Sequence, residues 1–575
     1  MKDLFRLLRL GHSARGRFAL GAALALVVVL ANVALLGLAG WFIAAMAAAG
    51  LIGASMNYFT PSAGIRAFAL MRTVGRYAER VVNHDATLRL LSRLRVWVYA
   101  RVQPLAPAVL GHYRKGDVLT RLVANVDALD NAWLRIFSPV IVAACSAAAV
   151  LAFLAFHSPA VAWVDLVLLA CVGVLLPVAA QRMGRRHAER AASVEGEVKA
   201  ALTEELAGIG ELTICGGLPA VAARVERASD DWLREQRAGL SLETAAAALT
   251  VLVSGVAITL TWWFAAPGVL SGAMSPLVLP LLVFVVLASV EGVQGLPAAF
   301  RVLDDTLAAA RRVFALADEQ PAVTERVSPL REVQSSALRF EAVGFRYPGG
   351  ARDAVADLTL DLPAGAAIAL VGASGAGKSS IARLAMRFHD PQRGTVTLGG
   401  RPVVDYALEP LRRQFAWAGQ STRLFSTTIR ENLRLAAPQA DDERLWAALE
   451  ATCLADEVRC FDAHLDHFVG AGGMALSAGQ ARRLCLARAW LSPAPILLLD
   501  EATEGLDPRA ARAIVERFVD GRGHRSLLWV THQALGLDRM DEVLVMDAGR
   551  VVARGSHQEL LQRSGFYRDM ASRIL

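Results

Sequence analysis

The sequence predicts a multidomain chain, in which an all-α transmembrane domain of six helices is followed by an α/β domain built around a phosphate-binding loop. Three observations predict it. Hydrophobic residues make up 55% of the 575 residues against 20% charged, with a mean hydropathy of +0.40, which is too apolar for a soluble enzyme. The apolar residues gather into long runs before Arg301. Beyond them, GASGAGKSS from Gly372 to Ser380 follows the apolar run Ala366–Val371 and precedes a helical pattern opening at Ile381, the strand–loop–helix setting of a phosphate loop.

The apolar segments Phe18–Ala49, Met56–Tyr77, Ala132–Phe156, Pro159–Ala180, Thr244–Ala266 and Ser275–Ala299 are each long enough for a span of about 20 residues. Lys2, Arg6, Arg9, Arg15 and Arg17 precede the first, as in a secretory signal. The uncharged stretch from Phe18 to Ile65 is far longer than a signal's apolar region of about 7–15 residues, so it reads as a retained anchor. The loops after the first, third and fifth segments carry no charge, whereas the N-terminus, Arg80–Arg135, Arg182–Glu243 and everything from Arg301 on are rich in arginine and acid. This asymmetry predicts that both termini are cytoplasmic and that the net charge of +7 serves membrane topology, with no nucleic-acid partner. The helical period continues through the two long charged stretches, which predicts helices reaching past the bilayer and turning near Gly116–Asp130 and Glu205–Gly217. The six cysteines show no C-x-x-C spacing and read as buried thiols. The expected parts are an N-terminus over 1–17, a transmembrane domain over 18–305, a connector over 306–336 and an ATP-binding domain over 337–575.

The second segment is unusual. Arg66 lies inside it, and Arg72, Arg76, Arg80 and His84 follow at four-residue spacing on one helical face, with Glu79 beside them. Charge at membrane depth is costly and usually faces a polar cavity, so the stripe predicts an anionic cargo; the plainer reading is a lower helix solvated in the cytosol. Asp165 and Glu291 are further intramembrane charges, each equally suited to pairing an arginine or meeting cargo. His84 beside Arg80 would also suit a haem, with the imidazole on iron and the arginine on a propionate, although most such histidines are merely solvated.

In the soluble half, Gly372, Ser374, Gly375, Ala376, Gly377, Lys378, Ser379 and Ser380 are the expected ATP ligands. Glycines let successive N–H groups surround a triphosphate at a helix N-terminus, Lys378 brings a point charge, and the Ser379 hydroxyl suits Mg²⁺. The chain has only four lysines, so one at position 378 does not reflect a general preference for lysine. Tyr347, upstream of the loop, is placed to stack on adenine or is simply a strand aromatic. Gln420 is placed to reach Mg²⁺ or the attacking water. In LSAGQ, Ser477, Ala478, Gly479 and Gln480 open the basic helix ARRLCLARAWL and form a second anion site. One nucleotide cannot adjoin both sites of one compact domain, so the second site is expected to serve another subunit. The strand Ile496–Leu499 delivers Asp500, a carboxylate for Mg²⁺, and Glu501, the general base; Asp507 is expected at the subunit seam, and the strand Leu527–Thr531 delivers His532 toward the γ-phosphate.

The order phosphate loop, Gln420, LSAGQ, LLLDE and His532 resembles the nucleotide-binding domain of ABC transporters, and with six spans ahead of it the whole chain resembles a half-transporter of the type IV exporter fold. More narrowly, GWF at Gly40–Phe42, RTVGRYAERVVNH at Arg72–His84 with Asp85, Ala86 and Thr87, and TEGLD at Thr503–Asp507 resemble the CydC-type subunits of heterodimeric exporters that support cytochrome bd assembly. The resemblance implies ATP and Mg²⁺ as ligands, a CydD-like partner, the bacterial inner membrane, and export of cysteine or glutathione or the handling of haem. A haem-binding ATPase sensor, or an exporter of lipids or peptides, is the alternative. The chain departs from the general pattern at Ala478, Ala471 and Gln533. With Glu501 and His532 retained, its own phosphate-loop site is expected to hydrolyse ATP, and the altered LSAGQ to support weaker turnover of the partner's nucleotide.

Overall fold

Alanine, leucine and valine without an interrupting charge give the 38-residue helix Arg15–Ile52, in a computed structural model that describes residues 2–10, 15–113, 115–421 and 423–572. The contacts divide the chain into two units, one of Met1–Pro104 with Tyr113–Glu319, the other of Leu105–His112 with Gln320–Leu575.

The first unit is helical. Helix Phe59–Val102 follows the first helix, then short helices Lys115–Leu122 and Ala124–Ala128, and then Ser138–His157. Ser158 alone makes the next reversal: its hydroxyl accepts from Val161 N and Pro159 opens the following helix, a residue suited to the first helical turn because its missing N–H would be unpaired there. Helices Leu176–Ala207, Leu218–Leu270, Val278–Val293 and Leu296–Ala317 complete the unit. At 53 residues, Leu218–Leu270 is about 80 Å long, well beyond a hydrocarbon core of about 30 Å. Among the described residues five helices are long and apolar enough to cross a membrane: Arg15–Ile52, Gly116–His157, Pro159–Thr203, Leu218–Leu270 and Val278–Phe300. The expected second span lies on Phe59–Val102, which is long enough but, with Arg66, Arg72, Arg76, Glu79 and Arg80, is not among them.

Small residues bring these helices together. A Cβ on Gly40 would stand 2.5 Å from the Phe284 ring and 2.8 Å from Pro280 O, so the glycine of GWF permits close approach of Arg15–Ile52 to Val278–Val293. The apolar interior includes Val33, Ala143, Leu154, Leu168 and Val285.

Three expectations need correction. The first of the two expected turns begins earlier than Gly116: the helix stops at Val102, ahead of Pro104 and Pro107, which cannot continue a helical hydrogen-bond ladder. The second turn falls as expected, with Leu176–Ala207 ending before the short helix Ile209–Ile214 and the left-handed Gly216. The cysteines are not buried thiols: Cys145, Cys215 and Cys460 are exposed and the other three half-buried, because Cys145 lies on the outer face of its helix and Cys215 in a turn. Helix Leu296–Ala317 also runs through residue 306, where the connector was expected to begin.

The second unit is α/β. Its strands are β1 (Leu338–Phe345), β2 (Val355–Leu362), β3 (Ala367–Gly372), β4 (Arg393–Leu398), β5 (Arg401–Pro402), β6 (Phe415–Ala418), β7 (Ile496–Asp500), β8 (Ser526–Thr531), β9 (Glu542–Asp547) and β10 (Arg550–Gly555). They form an antiparallel sheet in the order β2-β1-β4-β5 and a six-stranded sheet in the order β10-β9-β3-β8-β7-β6, parallel except for β10. Strand β3 is buried on both faces: Ile368 and Leu370 pack with Phe340, Leu360 and Leu498, while Ala367, Ala369 and Val371 pack with Leu499, Phe518 and Trp529. Burial on both faces explains why the sequence before the phosphate loop is uninterruptedly apolar. The C-terminal ends of β3, β7 and β8 therefore lie side by side, and they carry Gly372, Asp500 and Thr531.

Candidate active site

The phosphate loop leaves β3 at Gly372 and ends at the helix Lys378–Ala385. Gly377 must be glycine, since its φ is +96° and a Cβ would stand 2.0 Å from Ala354 O. Lys378 is only 4% exposed, and its ammonium donates to Gly372 O at 2.8 Å and Ala373 O at 2.9 Å. Burial lowers its pKa, opposed by the nearby Glu501 and Asp500. The lysine is thus parked on the loop it belongs to, on acceptors weaker than a phosphate.

Strand β7 ends in Asp500, 3% exposed, whose carboxylate lies near the Ser379 hydroxyl and whose Oδ1 has no hydrogen-bond partner. Burial raises its pKa, a tendency the nearby Ser379 hydroxyl and Lys378 oppose and Glu501 reinforces. A buried carboxylate oxygen without a donor, beside a serine hydroxyl, fits a hard cation such as Mg²⁺; Ser379, Asp500 and the Gln420 amide oxygen are the groups that would hold it.

Glu501 follows in left-handed backbone, φ +51°, an uncommon conformation for a residue with a Cβ. Its carboxylate accepts from Gln420 Nε2 at 2.7 Å and lies 3.4 Å from His532 Nδ1. Gln420 and His532, more than a hundred positions apart, thus converge on one carboxylate. The geometry suits activation of a water by Glu501, with Gln420 and His532 orienting it.

Tyr347 is tethered to the same helix, its hydroxyl 3.1 Å from Ser380 Oγ and accepting from Arg383 at 3.0 Å. A cavity of about 750 Å³ beside it is lined by Arg346, Tyr347, Asp353, Gln392 and Arg393, but by none of Gly372–Ser380. Ser374, Gly375 and Ala376 complete the loop.

In LSAGQ, Ser477 caps the helix Ala478–Leu491 reciprocally: its hydroxyl accepts from Gln480 N, and Gln480 Oε1 accepts from Ser477 N at 2.8 Å. Gln480 Nε2 donates to Glu457 at 2.8 Å, and Arg483 binds the same carboxylate at 2.6 Å. Ser477 and Ala478 are exposed, and Gly479 has room around it. Asp507 caps the helix Pro508–Asp520, accepting from Arg509 N at 3.1 Å and Ala510 N at 2.9 Å. Residue-by-residue reading missed Glu457 and Arg482; the basic character of ARRLCLARAWL was the available signal for the arginine.

The membrane arginines divide. Arg72 donates to Asn32 at 2.9 Å and Arg76 to Glu291 at 2.8 Å, and Asn32 also bonds Glu291, which closes a network across three helices. Glu291 is therefore an arginine partner. Asp165, fully buried, accepts from Ser289 at 2.7 Å and has no arginine on it. Arg66 reaches only Ser62 O of its own helix, and Arg80 and His84 are exposed without a hydrogen bond or ion pair to the described residues. Among the described residues no group of three or more His, Cys, Asp or Glu could hold a metal.

Residues 355–504 match the ABC transporter family model, and residues 18–290 match that of the ABC transporter transmembrane region. The chain is 37% identical to the glutathione/L-cysteine transport system ATP-binding/permease protein CydC of Escherichia coli K12, over 99% of each chain. It is 33% identical to the protein of the same name from Haemophilus influenzae over the full length of both, and 29% identical to an ATP-dependent lipid A-core flippase of Alkalilimnicola ehrlichii over 88% of this chain and 84% of that one. A bacterial Atm1-family ABC exporter with ATP bound shares the fold, with a TM-score of 0.81, 24% identity, and coverage of 97% and 98% of the two chains.

Proposed function

We propose, from the premise that the chain belongs to the ABC transporter family and has the fold of its exporters, that it is one half of a heterodimeric pump that uses ATP to move small thiols out of the cytoplasm. It is a membrane protein whose ATP hydrolysis is coupled to transport. The observation that carries the reading is the convergence of Gln420 and His532 on the Glu501 carboxylate, beside the phosphate loop and the buried Asp500. In the proposed cycle ATP phosphates take over Lys378 from Gly372 O and Ala373 O, and the exposed Ser477 of this chain faces the nucleotide held by a CydD-type partner. Mg²⁺, when bound, screens the phosphate charge; Glu501 takes the proton of the attacking water. Closure of the paired soluble domains favours one arrangement of the helices, and hydrolysis releases it, so ATP must bind the closed pair more tightly than the open one. Charge asymmetry supports both termini being cytoplasmic, and the resemblance to CydC-type subunits implies the bacterial inner membrane as the location.

The thiol cargo is supported by the full-length relatives named for glutathione and L-cysteine transport, and by an arginine-bearing helix suited to a carboxylate. The test is the pair in sealed vesicles. Glutathione or cysteine is expected to stimulate ATPase and to accumulate, and Glu501→Gln to abolish most turnover. Stimulation by lipids alone would favour the flippase-like reading, and hydrolysis without accumulation a sensor. Unimpaired turnover in Glu501→Gln would remove the active-site assignment.

Haem is the second reading, favoured by one observation: exposed His84 lies one turn from exposed Arg80, with no hydrogen-bond or ion-pair partner on either among the described residues. Haemin is expected to give a Soret shift that His84→Ala removes; an unshifted spectrum would dispose of it.

A further inference from the structure

Arg482 stands in the first turns of helix Ala478–Leu491, half-buried, and spends its guanidinium unusually. One terminal nitrogen donates to Glu501 O at 2.7 Å and the other to Gln420 O at 2.9 Å. Among the described residues it makes no salt bridge, whereas its neighbour Arg483 takes the Glu457 carboxylate. A single rigid fork therefore joins two carbonyls from separate segments, which carry the two side chains that meet at 2.7 Å.

The backbone of Glu501 explains why that matters. Its left-handed φ of +51° is disfavoured for a residue with a Cβ and persists only where its surroundings over-determine it. Both polar backbone groups of Glu501 are in fact held: N donates to Val530 O at 2.8 Å, and O accepts from Arg482. Releasing the carbonyl frees the peptide to relax and swings the carboxylate away from Gln420 and His532. Because Arg482 belongs to the helix that Ser477 caps, movement of that helix is also movement of the clamp.

We propose that Arg482 is a positioning residue that fixes the backbone of Glu501 and Gln420 and thereby couples the LSAGQ helix to the hydrolytic carboxylate. The inference rests on Glu501 being the general base. It predicts a loss in kcat without a matching loss in ATP binding, which a purely structural role would not produce.

The test uses the full-length chain co-expressed with a CydD-type subunit, with Arg482→Gln, Arg482→Lys and Glu501→Gln side by side. Arg482→Gln is expected to lower kcat at least about tenfold with KM for ATP within about twofold, and Arg482→Lys, which serves one carbonyl at a time, to fall between. A kcat within about twofold of the parent, or a loss that lies wholly in KM, would overturn the proposal. Should Arg482→Gln fail to fold, the charge-retaining Arg482→Lys carries the same kcat-against-KM comparison. An active Glu501→Gln would sink the base assignment itself; an inactive Glu501→Gln with fully active Arg482 variants would sink only the clamp.

Discussion

The phosphate-loop site and the arginine-bearing helix Phe59–Val102 hold charge in opposite ways. Asp500 keeps a buried oxygen with no donor, and Lys378 rests on two loop carbonyls, so both are incompletely satisfied until a ligand arrives. Arg72 and Arg76 are already answered, by Asn32 and Glu291 on neighbouring helices. A buried charge lacking a partner is expensive to maintain, and where a fold tolerates one a ligand is the natural compensation; a charge closed within the protein fits a structural role equally well. By this criterion Arg76 belongs to the closed class, whereas Arg80 and His84 are exposed and fall outside both classes.

The largest expected effect is at the open end. Lys378→Ala should lower ATP turnover at least about a hundredfold, since it removes a preorganised charge from the phosphates. The ATP-free melting temperature should stay close to the parent's, because only loop carbonyls lose a donor. A large fall in melting temperature would mean that the lysine is structural and the contrast misplaced.

Asp500 gives the next effect, as a pH dependence. Its folded pKa is raised, mainly by burial, above the ordinary value of about 4. The stability it contributes to the ligand-free protein is therefore full below the ordinary value and lost as pH rises through the raised one. Mg²⁺ needs the ionised form, so Mg-ATP should restore stability on the alkaline side of that window and bind more weakly within it. Melting temperature against pH, with and without Mg-ATP, should show the two limbs diverging. Asp500→Asn should flatten the ligand-free limb, and an unchanged slope would contradict the assignment.

The closed end predicts a smaller effect, read as stability. Arg76→Ala should cost about 1 kcal/mol in detergent melts by leaving Glu291 without its cation, and Glu291→Gln should return part of that loss in the double variant. Arg80→Ala, which breaks no hydrogen bond or ion pair to the described residues, should leave the melt unchanged. If Arg80→Ala is the more destabilising, the division of the stripe fails.

How much of this was legible in the sequence follows from how local each signal is. The phosphate loop was readable because Gly372, Gly377 and Lys378 are fixed by backbone geometry within nine residues, and the strand before it because burial on both faces leaves only apolar residues. The convergence of Gln420, Glu501 and His532 was legible only through the order of motifs, since parallel pairing of β6, β7 and β8 brings together the strand ends they follow. Arg482 and Glu457 were hidden because their partners are carbonyls and side chains distant in sequence, which no spacing encodes. The early helix end at Val102 was legible in Pro104 and Pro107, but the continuing helical period masked it. The cysteines misled because an apolar sequence neighbourhood describes a membrane helix's outer face as well as a core.

Asp507 offers the smallest effect, and one that decides between two readings of one carboxylate. The sequence suggests a residue at the subunit seam; the geometry makes it a helix cap with both bonds on the same oxygen, Oδ1. A cap needs an acceptor and not a charge, and asparagine caps as well as aspartate. Asp507→Asn should therefore keep the melting temperature and the ATPase of the pair, while Asp507→Ala should cost about 1 kcal/mol or less with turnover retained. If Asp507→Asn instead lowers turnover while the melt holds, the charge is used across the seam, and a capped carboxylate would join the open class with its second oxygen as the free hand.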